Sequence, residues 1–260
     1  MSHPAHVLIT GAAGAIGAAI AREMRRAWPT TRLALLDRDA DAMTMLAASL
    51  GNASTHGVDL ADIDSLPAAV ARISEHAPLD GLVNCAGIMR VRELSTWEWA
   101  EASALIAIDL LAPLRLQDLI VRGMAERRDT MRGVIINVAS MAGKVPLKGC
   151  AYYGASKAGL AMASEIARAD LAPLGIRVVT VYPGPVRSAL EQGARDAYGG
   201  GGLAGRLAPT GDPAELARRI MSALERDEPR VIYPRLYGVG WSATNLSSWI
   251  ALSYGPPPVS

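Results

Sequence analysis

Short apolar runs alternate along the chain with longer, alanine-rich segments in which apolar residues recur every three or four positions. The short runs predict strands, and the longer segments predict helices. Repeated strand–helix units of this kind form a parallel sheet with helices on both faces. We therefore expect an α/β fold with a doubly wound, mostly parallel sheet of seven strands, at His6–Thr10, Arg32–Leu36, Ser54–Val58, Gly81–Asn84, Gly133–Ala139, Ile176–Tyr182 and Arg230–Tyr233.

The alternation continues without a break in composition, so residues 1–260 are expected to form a single domain. Half of the residues are hydrophobic, which is enough for a large core. Near the end, Asp212 and Pro213 precede Ala-Glu-Leu-Ala, a sequence that combines an N-cap, a proline in the first helical turn and an apolar stripe. A helix is predicted to begin there and to end near Arg226.

Two segments depart from this alternation. Residues 188–211 contain the run Gly199–Gly202 and are expected to form a mobile substrate flap, with a plain flexible loop as the alternative. Residues 233–260 form an apolar C-terminal tail whose apolar runs are too short to span a bilayer. We expect the tail to cover a substrate pocket or a subunit interface, with peripheral membrane contact as the less favoured use.

The charge balance excludes one class of partner. The chain has 26 basic and 25 acidic residues spread along its length, a formal net charge of +1, and so no field that would attract nucleic acid. Cys85 and Cys150 are too few for a disulfide framework, which fits a reducing cytoplasm. The N-terminus has no basic segment followed by a long apolar stretch, so secretion is not indicated and a cytoplasmic location is expected.

The first predicted strand runs into a glycine-rich turn, Thr10-Gly11-Ala12-Ala13-Gly14-Ala15-Ile16-Gly17. Small residues here allow the backbone to turn sharply before a helix, and free N–H groups at that helix N-terminus can bind a pyrophosphate. Glycines can also serve only to permit a tight turn. The position in the first strand–helix unit favours a dinucleotide site.

Acidic residues follow the next two strands. Asp37, about twenty residues after the turn, can accept hydrogen bonds from both hydroxyls of an adenosine ribose and would repel a 2′-phosphate. This favours NAD as the cofactor, while the neighbouring Arg38 could pair with such a phosphate and keeps NADP as the alternative. Asp59 is placed to reach the adenine amine, or else it caps a turn.

Three further residues suit acid–base chemistry. Ser140 ends the fifth predicted strand, and Tyr153 and Lys157 lie four residues apart on one face of a predicted helix. The lysine ammonium can stabilise the phenolate and lower the tyrosine pKa from about 10 toward working pH, so that Tyr153 acts as acid or base. The Ser140 hydroxyl can hold the substrate oxygen. Taken singly, each residue could equally be structural.

Together these motifs resemble the classical short-chain dehydrogenase/reductase family over the chain as far as Ser188. The resemblance implies a Rossmann fold, catalysis by Ser140, Tyr153 and Lys157, and a homodimer or homotetramer in which the helix carrying Tyr153 pairs with its copy. It also implies a cofactor site formed by Thr10, Gly11, Gly14, Ala15, Ile16, Gly17, Asp37, Arg38, Asp59, Leu60, Asn84, Ala86, Gly87, Tyr153, Lys157, Pro183, Gly184, Val186 and Ser188, with Ser188 in place of the family's usual threonine.

The sequence departs from the family pattern at two positions. Ala15 replaces the second motif glycine, with Gly14 just before it; the added methyl is tolerable if Ala15 is already helical. Asp109 replaces the catalytic asparagine, whose backbone carbonyl in the family holds a water in a proton relay to the lysine. Because any side chain can permit that role, we expect Asp109 to preserve activity while adding a negative charge near Lys157.

We expect an oxidoreductase that interconverts a secondary alcohol and a ketone, with Tyr153 taking the hydroxyl proton and hydride passing to NAD. Apolar residues in the tail suggest a mostly apolar substrate such as a steroid, a terpenoid or an acyl-chain alcohol, with sugars as the polar alternative: Leu236, Trp241, Trp249 and Ile250. The alternatives are an NADPH-dependent biosynthetic carbonyl reductase and a non-catalytic NAD(H) sensor. No metal is expected, because the histidines lack ligand spacing: His3, His6, His56 and His76.

Overall fold

A computed structural model describes residues 3–126, 133–199 and 209–258. They form one parallel sheet of seven strands in the order β3-β2-β1-β4-β5-β6-β7. The doubly wound α/β fold predicted from the sequence is confirmed. The strands are β1 (His6–Thr10), β2 (Arg32–Asp37), β3 (Ala53–Gly57), β4 (Gly81–Asn84), β5 (Gly133–Val138), β6 (Ile176–Pro183) and β7 (Arg230–Tyr233).

The strand bounds differ from the sequence prediction by a single residue at five ends, in four of the strands. β2 and β6 each extend one residue further, to Asp37 and Pro183, β3 begins and ends one residue earlier, and β5 ends at Val138. The ends shift because pairing with a neighbouring strand, which the apolar pattern does not report, decides where a ladder stops. Pro183, for example, is paired with Tyr233 on β7.

Ten helices connect and flank the strands in the described part of the chain. They are α1 (Ala15–Ala27), α2 (Ala40–Leu50), α3 (Leu66–Ser74), α4 (Trp99–Ile106), α5 (Ala112–Ala125), α6 (Ala151–Leu171), α7 (Ala189–Ala197), α8 (Pro213–Arg226), α9 (Tyr237–Ser242) and α10 (Thr244–Tyr254). The helix predicted to begin after Asp212 is confirmed as α8, because the Asp212 carboxylate accepts hydrogen bonds from the N–H groups of Ala214 and Glu215.

The sheet is buried on both faces. Along β1, Val7 and Ile9 pack in the core that includes residues of α1 and α8, whereas Leu8 packs on the opposite face with residues of α3 and α5. Side chains on a strand alternate between the two faces, so a strand covered on both sides is apolar at every position. This explains why the central strands contain continuous apolar runs, such as Val7–Ile9 in β1 and Leu33–Leu36 in β2.

The strand order reverses direction between β1 and β4. The chain moves outward from β1 to β2 and β3, then returns to β4 on the other side of β1. In doubly wound sheets the loops beyond the carboxyl ends of the two strands at such a switch point diverge and leave a crevice for a ligand. The glycine turn follows β1 and Cys85 follows β4, so both border this crevice.

The C-terminal tail is helical for much of its length. α9 and α10 follow β7, and no helix within the described ranges is long and apolar enough to cross a membrane. In the predicted flap, residues 189–197 form α7, with Ser188 as the N-cap. The predicted flap, residues 188–211, also includes residues 200–208, which lie outside the described residues, and its mobility stays a prediction.

Candidate active site

The glycine turn lies directly against the loop after β4. Gly11 has φ +67°, and a Cβ there would lie 2.7 Å from the backbone N and Cα of Ala86. A Cβ on Gly17 would lie 2.1 Å from the carbonyl oxygen of Gly11. Backbone atoms cannot yield as a flexible side chain can, so both positions require glycine. The close approach leaves a cradle of bare backbone at the end of β1.

The N-terminus of α1 faces this cradle with free N–H groups. Gly14 occupies the N-cap position without a side-chain hydrogen bond, and the first turn carries no acidic residue. Ala15 is the first helical residue, which meets the condition under which its methyl group is tolerable. Backbone N–H groups without a capping partner and the positive end of the helix dipole both favour binding of a pyrophosphate. The residues of this turn therefore fit a dinucleotide cofactor.

Asp37 and its neighbours border the far end of the crevice. One carboxylate oxygen of Asp37 accepts a hydrogen bond from the Ala13 N–H at 3.0 Å, and the other accepts from the Arg38 N–H at 2.7 Å. The Arg38 side chain and Asp59 also line the cavity. Asp59 Oδ1 accepts from the Ala61 N–H at 3.0 Å, so Asp59 is a turn cap that also faces the proposed adenine end.

Two residues of the expected cofactor site lie beneath the cavity and do not line it. The Thr10 hydroxyl accepts hydrogen bonds from the N–H groups of Cys85 and Ala86, at 3.1 and 3.2 Å. The Asn84 amide donates to Asn137 Oδ1 at 2.8 Å. Both side chains are buried and hold the β1 and β4 loops in place. The contact between Asn84 and a cofactor that the resemblance implied stays a prediction.

Ser140, Tyr153 and Lys157 line the same cavity. Ser140 follows β5, Tyr153 lies in the first turn of α6, and Lys157 lies one turn later. The Lys157 ammonium is 5.9 Å from the centroid of the Tyr153 ring and donates to the Val138 carbonyl at 3.4 Å. The structure thus brings together on one wall the three residues that the sequence selected for proton chemistry.

Burial raises the pKa of the Tyr153 phenol above its usual value. The Lys157 ammonium lowers this pKa, the Asp109 carboxylate raises it, and hydrogen bonding with Ser140 lowers it. Lys157 therefore acts in the direction predicted from the sequence, but the net pKa shift in the ligand-free chain is opposite to the prediction. The sequence showed the lysine one turn away and did not show how deeply the phenol is buried.

Asp109 is the fourth charged or polar residue of the group. It is fully buried, its Oδ2 lies 3.5 Å from Lys157 Nζ, and its Oδ1 accepts from the Ile88 N–H at 2.8 Å. It lies in a single wide π turn, Ala107–Leu111, between α4 and α5, and such turns often occur at functional sites. Burial raises the pKa of Asp109. Burial alone would lower the pKa of Lys157, but Asp109 and Tyr153 outweigh it and raise that pKa.

The end of β6 and the segment after it line the cavity. Pro183, Gly184, Val186 and Ser188 are among the lining residues, as are Leu60, Ala86 and Gly87. The Ser188 hydroxyl donates to the Val186 carbonyl at 3.0 Å and accepts from the Glu191 N–H at 3.1 Å. Ser188 therefore begins α7 and holds this segment.

The cavity has a volume of about 930 Å³ and continues beyond Ser140 into an apolar end. Several residues there were not selected from the sequence: Met89, Val145, Leu147, Lys148, Tyr198, Tyr237, Ser247, Ala251, Gly255 and Pro256. Of the four tail residues that were selected, Leu236 lines the cavity, Trp241 packs on Tyr182, and Trp249 and Ile250 are exposed. Apolar character alone could not tell which side of a tail helix would face the cavity.

The remaining candidates behave as ordinary side chains. Cys150 is buried, and Cys85 lines the cavity, where burial raises the pKa of its thiol to about 12. A thiol of that pKa is a poor nucleophile at neutral pH. Within residues 3–126, 133–199 and 209–258, no group of three or more His, Cys, Asp or Glu side chains is arranged to hold a metal ion.

A comparison with protein families finds that a model described as short chain dehydrogenase matches residues 5–199. The D-threitol dehydrogenase of Mycolicibacterium smegmatis is 35% identical over 212 residues, which cover 78% of this chain and 78% of that protein. The 3-oxoacyl-[acyl-carrier-protein] reductase FabG of Vibrio harveyi is 30% identical over 219 residues, covering 82% of this chain and 87% of that protein.

Solved structures share the fold over nearly the whole chain. A short-chain dehydrogenase from Sphingobium yanoikuyae, in complex with NADPH, superposes with a TM-score of 0.77 and is 27% identical. The match covers 96% of this chain and 95% of that one. The likeness therefore includes β7 and much of the C-terminal region, beyond the residues that the family model matches.

Proposed function

The chain belongs to the short-chain dehydrogenase/reductase family, an oxidoreductase family that acts on CH–OH and ketone groups with NAD or NADP, and from this premise we propose its reaction. The protein interconverts a mostly apolar secondary alcohol and the corresponding ketone, with NAD as the preferred cofactor. The observation that carries this proposal is one continuous cavity that contains the glycine cradle, the Ser140–Tyr153–Lys157 wall and an apolar end.

Three side chains carry the proton chemistry in this proposal. The Ser140 hydroxyl binds the substrate oxygen and fixes the reacting carbon in position. Tyr153 accepts the hydroxyl proton at its phenolate oxygen during oxidation and returns it during reduction. Lys157 stabilises the phenolate through its positive charge. NAD, when bound, accepts the hydride and brings the positive charge of its oxidised ring into the site.

The apolar end of the cavity supports an apolar substrate. Val145, Leu147 and Leu236 line it, and an apolar ligand gains about 0.8 kcal/mol for each methylene group that it buries there. The name of the Mycolicibacterium relative specifies a polyol, which makes a polar substrate the competing possibility. Oxidation rates with a panel of steroid, terpenoid, aliphatic and polyol alcohols test this. We expect turnover of apolar alcohols, and turnover restricted to polyols would contradict the proposal.

The preference for NAD is argued from Asp37. Its carboxylate is fixed by the N–H groups of Ala13 and Arg38, and a negative charge at that place repels a 2′-phosphate. Arg38 also lines the cavity, and the Sphingobium structure holds NADPH, so an NADPH-dependent carbonyl reductase is the alternative.

The cofactor preference is tested with Asp37→Ser. Hydrogen bonds to a charged group contribute about 1.5–3 kcal/mol, so kcat/KM for NAD should fall roughly tenfold to a hundredfold. The kcat/KM for NADP should rise, because the Asp37 carboxylate no longer repels the 2′-phosphate. If the unmodified protein already uses NADP better than NAD, the proposed preference for NAD is wrong while the oxidoreductase proposal stands.

A different class of function is a non-catalytic NAD(H) sensor. Tight NADH binding with no turnover of any substrate would favour that sensor over an enzyme.

We also propose that α6 pairs with its copy in a second chain. Met162 and Ile166 lie one turn apart on this helix, and their exposed fractions are 62% and 54%. Large apolar side chains exposed next to each other in a single chain are typical of a subunit interface. A homodimer or homotetramer would bury them.

A further inference from the structure

The last described residues return to the cavity. After α10 ends at Tyr254, Gly255 and Pro256 line the apolar end, and Pro258 lies against the turn that precedes α6. A Cβ placed on Gly149 in that turn would be 3.2 Å from Cγ of Pro258. Residues 255–258, which we call the strap, therefore run from the cavity wall to the turn that precedes α6.

The strap is locally stiff. The Gly255 N–H donates to the Ala251 carbonyl at 3.0 Å and ends α10, and Gly255 itself is extended, with φ −63° and ψ 145°. A Cβ on Gly255 would lie 2.2 Å from that same carbonyl oxygen, so the turn requires glycine. Three consecutive prolines follow. Proline fixes φ and favours an extended conformation, so little chain entropy is lost when the strap is held in place.

One lysine connects the strap to the turn before α6. Lys148 Nζ donates to the Gly255 carbonyl at 3.0 Å, across 107 positions of sequence. The Lys148 carbonyl accepts a hydrogen bond from the Tyr198 hydroxyl at 2.6 Å, and the Gly149 carbonyl accepts from the Arg92 N–H at 2.9 Å. The strap and the end of α7 are thus both attached to the same short turn.

This turn leads directly into the helix that carries Tyr153. Gly149 has φ +76°, and Cys150 precedes the first residue of α6. Because the strap is attached to this turn, its distance from the Tyr153 phenol is fixed. A substrate with its reacting carbon at Tyr153 extends along the apolar end until it meets the strap.

We propose that the strap is the end wall of the substrate site and limits how long a substrate can be, with Lys148 as the positioning residue that holds it. The inference rests on the proposed function, because it assumes that the apolar end receives the substrate. Lys148 acts through the strap and takes no part in the proton chemistry.

The test uses 2-alkanols of increasing chain length with three variants. One ends the chain after Tyr254, the second is Lys148→Met, which keeps the aliphatic stem and removes the donor, and the matched control is Lys144→Met. Lys144 Nζ lies 4.6 Å from the centroid of the Trp241 ring, whereas Lys148 is the lysine that donates to the Gly255 carbonyl. Two quantities are measured: kcat and KM for oxidation, and the ability of each alkanol to displace the probe 1-anilinonaphthalene-8-sulfonate from the cavity.

We expect a chain length beyond which kcat/KM of the unmodified protein stops rising. In the shortened protein kcat/KM should continue to rise beyond that length. Each further methylene group should raise it about fourfold, which is the gain expected from burying one methylene group. Lys148→Met should show the same kind of extension in KM, but a smaller one than the shortened protein shows. Lys144→Met should match the unmodified protein, and NADH affinity should be the same in all four.

Displacement of the probe separates the two proposals, because it requires no turnover. If no alkanol is oxidised but long alkanols displace the probe better from the shortened protein, the strap proposal stands and the proposed substrate class fails. If the shortened and Lys148→Met proteins bind NADH normally and keep the original length limit in displacement, the strap is not the end wall.

Discussion

Among single residues, the buried pair of Asp109 and Lys157 controls how much positive charge acts on Tyr153. The two side chains lie 3.5 Å apart, with Lys157 almost completely buried, so solvent screens their interaction little. Asp109 raises the pKa of Lys157, which keeps the ammonium charged. It also raises the pKa of Tyr153, which opposes the effect of that ammonium.

Replacing Asp109 by asparagine should move the pH profile of alcohol oxidation. In the proposed reaction the phenolate of Tyr153 is the base, so kcat/KM should rise with pH through the Tyr153 pKa. Removing the Asp109 charge lowers that pKa, and the rising limb should shift to lower pH. The matched control is Asp118→Asn, an exposed acid on α5 paired with Arg115 and Arg122. If the rising limb of the pH profile stays in place in Asp109→Asn, or moves to higher pH, then Asp109 does not raise the pKa of Tyr153.

At the scale of elements, the turn between β1 and α1 depends on backbone contacts that tolerate no side chain. Gly17→Ala would place a methyl carbon 2.1 Å from the Gly11 carbonyl oxygen, and overpacking of this kind costs about 1–3 kcal/mol. We expect a lower free energy of unfolding and weaker NADH binding. Urea denaturation and fluorescence titration with NADH measure the two effects.

Gly123→Ala is the control for this change. Gly123 lies in α5, and no atom lies within 4 Å of the place where its Cβ would be. Alanine is favoured over glycine inside a helix by about 0.5–1 kcal/mol, so this variant should be slightly more stable and bind NADH normally. If Gly17→Ala and Gly123→Ala have the same free energy of unfolding and bind NADH equally well, the turn does not require glycine at position 17.

The exposed face of α6 can be tested as a subunit interface. Ile166→Glu places a charge in the proposed interface, so the protein should sediment as a smaller species than the unmodified chain. Met45→Glu on α2 is the control, since Met45 is as exposed, at 71%, and lies on a different helix. Sedimentation velocity measures both. If Ile166→Glu and the unmodified chain have the same mass, this face is not the interface.

The elements were predictable from the sequence because their signals are local. Runs of β-branched or apolar residues located all seven strands, and the residues Asp212 and Pro213 located the start of α8. The i, i+4 spacing placed Tyr153 and Lys157 on one face. The contact between Asp109 and Lys157 joins the π turn to α6 across 48 positions; no local pattern reports it, and only the family resemblance predicted the negative charge near Lys157. The same holds for Thr10 and Asn84, whose motif is recognisable although their side chains point away from the cavity.

At the scale of the whole molecule, one cavity joins elements from both ends of the chain. The glycine turn after β1 forms one end, Tyr153 lies between, and the tail after β7 closes the other. The sequence marked the tail as apolar. It could not show that Lys148 bonds Gly255, since that contact depends on how α9 and α10 pack after the sheet is complete.

In the proposed reaction Tyr153 exchanges the proton of the substrate hydroxyl. The most direct test is the rate of alcohol oxidation, followed by the absorbance of reduced nicotinamide, in the unmodified protein, Tyr153→Phe and Tyr152→Phe. Tyr152 is a matched control because it lies next to Tyr153 and packs against Trp97 and Trp99. NADH binding is measured in all three.

Loss of a positioned acid or base reduces a rate by about a hundredfold to ten-thousandfold. We predict a loss of that size in Tyr153→Phe, with NADH affinity unchanged and with Tyr152→Phe close to the unmodified protein. Oxidation by Tyr153→Phe at the rate of the unmodified protein would contradict the account.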